Sequence, residues 1–245
     1  MLRYIFTQNE SKLFFRSSIC MLNELFFIAQ IILISATTIA LARMGKEALV
    51  AYVGLLFTMA NIFVIKQITL FGWTVTSSDA FIIGISFSIN LLQEFWGKIW
   101  ARQTIWISFA LSLFYLVIAR CIISYEPATI DDAHPHLQFI MANTTRIIIA
   151  SFTTYLITQF ADIYIYGYLK KITTGKYFVL RNYFSLAISQ LLDTILFSFL
   201  GLYGIVANIT DVIIVSYSIK ILAIILMTPF LMVTKSILST NQKGM

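Results

Sequence analysis

The chain has 245 residues, of which 59% are hydrophobic and 11% charged, a net charge of +6 and a mean hydropathy of +0.87. A soluble domain carries about 25% charged residues, and no polar stretch here is long enough to form one. The fold class is therefore all-α, a polytopic integral membrane protein with six or seven transmembrane helices. Lys and Arg sit in short connecting segments and not on one basic face, which argues against nucleic acid as a partner and for a lipid bilayer.

Residues 1–24 mix Arg3, Lys12 and Arg16 with Phe and Leu and read as a cytoplasmic or interfacial segment. The run 25–42 exceeds the apolar core of a signal peptide and reads as the first span, despite its Ala40-Leu41-Ala42 ending. The second span is 48–65, broken by Lys66–Trp73, where Gly72 and Trp73 suit a turn at the interface. The third, 74–92, holds Asp79 near its start and ends in the polar cluster Asn90, Gln93 and Glu94. Span 4 is 104–123, followed by the acidic connection 124–143 with Glu126, Asp131 and Asp132.

Span 5 is 144–168, and Lys170, Lys171, Lys176 and Arg181 crowd the loop after it. Spans 6 and 7 are 183–207 and 211–233, completing a transmembrane domain of 25–233 before a cytoplasmic tail, 234–245. Basic loops face the cytoplasm, so 170–181 lies inside and 124–143 outside. Seven spans would then place the basic N-terminus outside, so the count stays at six or seven.

Two spans repeat one pattern. Thr158-Gln159-Phe160-Ala161-Asp162 follows Arg146, and Ser189-Gln190-Leu191-Leu192-Asp193 follows Arg181. Residues three apart are neighbours on a helix, and a carboxylate at the bilayer centre costs roughly 2.5–3.5 kcal/mol on insertion scales. Such a group faces a partner, a cavity or a solute. An amide beside a carboxylate offers donors and acceptors together, which suits a planar polar solute better than a bare ion. The competing reading is hydrogen-bonded packing between helices.

Asn90 and Glu94 share a face at i, i+4, although a solvated helix end would also account for them. Arg146 and Arg181 either anchor their spans at the interface or support the site. The candidate substrate-binding residues are thus Asn90, Glu94, Arg146, Gln159, Asp162, Arg181, Gln190 and Asp193. His134 and His136 beside Asp131 and Asp132 read as a solvated loop and not a metal site. Cys20 and Cys121 have neither metal spacing nor a disulfide framework. No phosphate-binding loop or hydrolase motif occurs, so neither catalytic residues nor a cofactor is expected.

Further matching stretches are Ala60-Asn61, Leu70-Phe71-Gly72, Glu94-Phe95-Trp96-Gly97-Lys98, Arg146…Ala150-Ser151…Gln159-Phe160-Ala161-Asp162 and Arg181-Asn182…Ser185…Ser189-Gln190-Leu191-Leu192-Asp193…Phe197. In this order they resemble the queuosine precursor transporter family, also described as vitamin uptake transporters. The resemblance implies a multi-pass inner-membrane importer, not an enzyme, that takes 7-deazaguanines such as preQ0, preQ1 or queuine for tRNA modification. For such a solute, Asp162 and Asp193 are expected to accept from the base edge, with the glutamines satisfying its carbonyl. Many relatives carry Asp-x-x-x-Glu where this chain has Asn90 to Glu94, which leaves the preferred deazaguanine open. Two rivals stand beside it: a substrate-binding subunit of an energy-coupling-factor importer with partner ATPases, and an intramembrane enzyme using the carboxylates as acid and base. The repeated Gln-x-x-Asp pattern also fits an internal repeat about a midplane site, and a homo-oligomer is compatible with it.

Overall fold

The computed structural model describes the backbone of residues 2–141, 145–204 and 208–242, and the side chains of 22–141, 146–204 and 208–235. The side chains of Arg3, Lys12, Arg16, Cys20 and Lys243 lie outside the described residues, as do the ends of the expected connection 124–143 and span 183–207.

Helix α1 (Leu2–Met44) leads into α2 (Lys46–Phe63), a hairpin of β1 (Gln67–Leu70) and β2 (Trp73–Thr76), and α3 (Asp79–Phe95). Then come α4 (Lys98–Ile123), the short α5 (His134–Met141), α6 (Thr145–Ile172), α7 (Phe178–Phe197) and α8 (Ile209–Gln242). Among the described residues, six stretches are long and apolar enough to cross a bilayer: Leu22–Met44, Lys46–Phe63, Lys98–Ile123, Arg146–Ile172, Phe178–Leu202 and Ile209–Lys235.

The third expected span is corrected in both place and character. Residues 73–76 are not helical but pair antiparallel with 67–70, with Leu70 opposite Trp73. The two-residue turn has Phe71 at φ 51° and Gly72 at φ 83°, and positive φ at both central positions is what a tight hairpin of type I′ needs. Hydropathy does not separate such a hairpin from a helix, because Ile68, Leu70 and Val75 are as apolar as any span. The hairpin is tied to α1 by Asn23 Nδ2 donating to the Thr69 carbonyl (3.1 Å) and by the Phe71 amide donating to Glu24 Oε1 (2.7 Å).

Helix α3 is 17 residues long and 14 of them are buried. It packs on α1, α2, α4, α6, α7 and α8, so protein and not lipid surrounds it. That placement explains how it holds Asp79, Ser86, Ser88, Asn90 and Gln93 within a membrane protein, since each polar side chain can find a partner on a neighbour. The outer helices turn Trp106, Phe114, Phe184 and Phe199 outward, as lipid contact favours. Hydroxyls and amides join the helices: Thr38 to Ser88, Thr58 to Ser112, and Ser151 to Asn61.

The remaining differences are at helix ends. Helix α6 runs on to Ile172 and α7 starts at Phe178, five residues before the expected span, so the basic loop shrinks and Arg181 becomes helical. After Phe197, α7 widens into a π turn, Ser198–Leu202. The histidines sit on α5, whose start is capped by Asp131 Oδ1 accepting from the amides of Ala133 (2.9 Å) and His134 (3.2 Å). Lys46 lies over the Trp100 ring at 4.0 Å, which brings the start of α2 beside the start of α4. The end of α3 meets the end of α6 and the start of α7 at that same end of the bundle, through Glu94, Lys170 and Arg181.

Candidate functional site

Three helices turn polar stripes toward one another. Helix α3 presents Asp79, Ser86, Asn90 and Glu94; α6 presents Gln159, Asp162 and Tyr166; α7 presents Arg181, Asn182, Ser185, Ser189, Gln190 and Asp193. Spacings of three, four and seven keep each stripe on one side of its helix. From Asp79 to Glu94 the column is about 22 Å long, at about 1.5 Å per residue.

At the end nearest the basic loop, Glu94 is surrounded. Arg181 Nη2 is 3.1 Å from Oε1, Lys170 Nζ is 2.8 Å from Oε2, and the Tyr166 hydroxyl donates to Oε2 at 2.8 Å. The Arg181 guanidinium also donates to the Gly175 carbonyl (3.2 Å) and lies 5.4 Å from the Tyr166 ring centre. Arg181 is 2% exposed, so Glu94 is the counter-charge that lets it be buried.

One turn deeper, Asn90 Nδ2 donates to Asn182 Oδ1 (3.3 Å), and the Ser185 hydroxyl donates to the Asp162 carboxylate. Asn90 and Ser189 also lie beside that carboxylate. Deeper again, Gln159 Nε2 (2.8 Å) and Gln190 Nε2 (3.1 Å) both donate to the Ser86 hydroxyl. At the far end Lys220 of α8 reaches in. Its ammonium is 2.6 Å from Asp193 Oδ2 and 3.2 Å from Thr194 Oγ1, and Asp79 interacts electrostatically with both members of that pair.

Charged groups thus stand at the two ends, with amides, hydroxyls and the Asp162 carboxylate between them. Four buried atoms of this middle part have no hydrogen-bond partner among the described residues: Asn90 Oδ1, Asp162 Oδ2, Gln190 Oε1 and Asn182 Nδ2. A buried polar atom left unpaired costs about 1–3 kcal/mol. Three acceptors and one donor left open on α3, α6 and α7 complement a solute with more N–H groups than carbonyls.

Seven of the eight expected residues share this column. Arg146 does not join it: its guanidinium donates to the carbonyls of Leu200 (2.9 Å) and Tyr203 (2.8 Å), where the π turn leaves α7. Asp193, expected to accept from a solute, has an oxygen taken by Lys220. The Gln159 and Gln190 amides converge on Ser86, a residue the sequence reading passed over. Lys220 was passed over too, although an ammonium inside an apolar span is a signal of the same kind as Asp193. Tyr166 and Asp79 drew little notice because each is ordinary without its partner helix.

Comparison with known proteins assigns the chain to a family. The family described as "Putative vitamin uptake transporter" matches residues 76–234, from the last residue of β2 into α8. A relative from Bacillus subtilis (strain 168), named "Probable queuosine precursor transporter", is 28% identical over 205 residues, covering 82% of this chain and 89% of that protein. No solved structure matches the chain. The family match spans well over half of the sequence and every member of the column, and the chain belongs to the vitamin uptake transporter family of multi-pass membrane proteins.

Proposed function

We propose that this protein imports a 7-deazaguanine precursor of queuosine across the inner membrane. The observation that carries the reading is the set of open polar atoms at mid-column: Asn90 Oδ1, Asp162 Oδ2, Gln190 Oε1 and Asn182 Nδ2. A deazaguanine has an amide-like N–H and an exocyclic amine for Asp162, a further ring N–H for Asn90 or Gln190, and a carbonyl for Asn182. Analogues without those groups would leave buried atoms unpaired and be rejected. The name of the Bacillus relative supports the same substrate class, and neither matched description names an energy-coupling subunit or an enzyme.

By the positive-inside rule the Glu94–Lys170–Arg181 end faces the cytoplasm and the hairpin end faces outward. The ion network at each end acts as a closure: the outer one parts to admit the base, the inner one to release it. The test uses cells that cannot make queuosine and lack their own importer. These are supplied with preQ0, preQ1 or queuine singly, with the salvage enzyme for queuine added, and queuosine in tRNA is scored. Rescue by one precursor at low concentration is expected. No rescue by any of them, with the protein verified in the membrane, overturns the reading.

A further inference from the structure

We infer that Asp79, in its cluster with Asp193 and Lys220, binds a proton that enters with the solute. The inference rests on the import reading above and adds its driving ion. Three helices meet at this cluster: Asp79 from the first turn of α3, Asp193 from α7 and Lys220 from α8. The three residues are 6%, 9% and 4% exposed.

The charge count is unequal. Two carboxylates face one ammonium, which leaves an excess negative charge in a place where unbalanced charge costs several kcal/mol. Asp193 is matched by Lys220 at 2.6 Å. Asp79 is not matched as well: it meets Thr76 and the field of Lys220, while its Oδ2 is buried without a partner among the described residues. A proton on Oδ2 makes the cluster neutral and supplies the missing hydrogen.

Among the described residues the charged groups acting on Asp79 are Lys220 and Asp193; Arg146 of α6 is engaged with the carbonyls of Leu200 and Tyr203. Helix α1 offers Glu24, which is engaged with the hairpin amide of Phe71. Lys66, before β1, is exposed. Asp211, near the start of α8, is exposed and accepts from Asn208. The Tyr217 hydroxyl donates to the Ala187 carbonyl, and Tyr183 lies near it. A metal ion is disfavoured for a simple reason. The tethered ammonium of Lys220 already stands against Asp193, with Thr194 as its second contact, and its field reaches Asp79.

Asp79 and Asn90 are on one rigid helix, about 16 Å apart, so a change of charge at Asp79 acts on the same body that holds the base. With the outer end open, a proton from the outside water adds to Asp79 Oδ2 and the neutral cluster can close over the loaded base. Release of that proton to the cytoplasm after the base has left restores the carboxylate, which again shares Lys220 with Asp193. One proton enters and one leaves per cycle.

The experiment uses the purified full-length chain in lipid vesicles. Gradient-free exchange of labelled base tests base recognition alone. An acid-outside gradient should then drive accumulation, by about tenfold per pH unit at one proton per base, and an internal pH dye should report proton influx when base is added. Asp79→Asn should lose the influx and the accumulation, and Asp79→Glu should restore them. Exchange without acid-driven accumulation, accumulation driven by sodium instead, or full coupling in Asp79→Asn would each overturn the inference. Infrared spectroscopy decides independently of transport: the carbonyl stretch of a protonated carboxyl group should vanish in Asp79→Asn. If that variant fails to reach the membrane, the band must shift in Asp79→Glu, and an unchanged band overturns the inference.

Discussion

Lys220 and Asp193 face each other from α8 and α7 with 2.6 Å between ammonium and carboxylate, and both are buried. Removing one partner of such a pair costs about 3–5 kcal/mol, because the other is left uncompensated. The two single variants should nevertheless differ. In Asp193→Asn, Asp79 remains to balance Lys220. In Lys220→Met, two carboxylates face each other with no cation. Thermal unfolding in detergent should therefore rank Lys220→Met as the less stable, and Asp193→Asn combined with Lys220→Met as less damaged than the sum of the two. The reverse ranking would mean that Asp79 does not share the ammonium.

Asp162 should behave as a solute contact and not as a support. Asparagine in its place keeps an oxygen for the Ser185 hydroxyl but replaces the open acceptor with a donor. Membrane levels of Asp162→Asn should stay near those of the parent chain, while half-saturation for uptake rises by about 5–150-fold, the equivalent of 1–3 kcal/mol. Equal loss of protein and uptake would assign Asp162 to packing.

Around Glu94 the two cations should separate by burial. Lys170 is partly exposed, with 38% of its side chain accessible, against 1% for Arg181. Surface pairs contribute about 0–1 kcal/mol, so Lys170→Gln should leave the unfolding temperature nearly unchanged. Glu94→Gln strands the buried guanidinium and should lower stability by about 3–5 kcal/mol. Calorimetry of the two variants would expose an error if Lys170→Gln proved the more damaging.

Two glycines on the packed faces make a matched pair. A methyl group on Gly84 would come within 2.5 Å of Ile34 Cγ2, and one on Gly54 within 2.6 Å of Leu111 Cδ1. The leucine methyl is at the end of a rotatable side chain, whereas the isoleucine branch is fixed close to its backbone. Gly84→Ala should be destabilising by about 1–3 kcal/mol and be relieved by Ile34→Ala. Gly54→Ala should be tolerated, as a comparison of melting temperatures would show.

How far the sequence alone carries can be judged residue by residue. Gln159, Asp162, Gln190 and Asp193 are conspicuous because polar atoms are expensive in a span, whatever surrounds them. What they touch is not conspicuous, since Ser86 and Lys220 lie on other helices, 73 and 27 residues away from Gln159 and Asp193. The two arginines make the same point. Both precede a Gln-x-x-Asp span, yet Arg181 turns inward to Glu94 and Arg146 turns to backbone carbonyls at the π turn. A repeated spacing does not produce a repeated environment. The hairpin stayed hidden because its alternating residues are nearly all apolar or β-branched, and only the pairing of 67–70 with 73–76 reveals it.

The enclosure of α3 also sets an order of assembly. Chains emerge from the ribosome N-terminus first, so α3 is made before Gln159, Asn182, Arg181 and Lys220, the residues that its polar side is built to meet. A nascent chain ending after α4 would hold Asp79, Ser86, Asn90 and Glu94 without their partners on α6, α7 and α8. The polar side of α3 therefore completes its hydrogen bonds only after α6, α7 and α8 have been made, although α1, α2 and α4 already pack on its other faces.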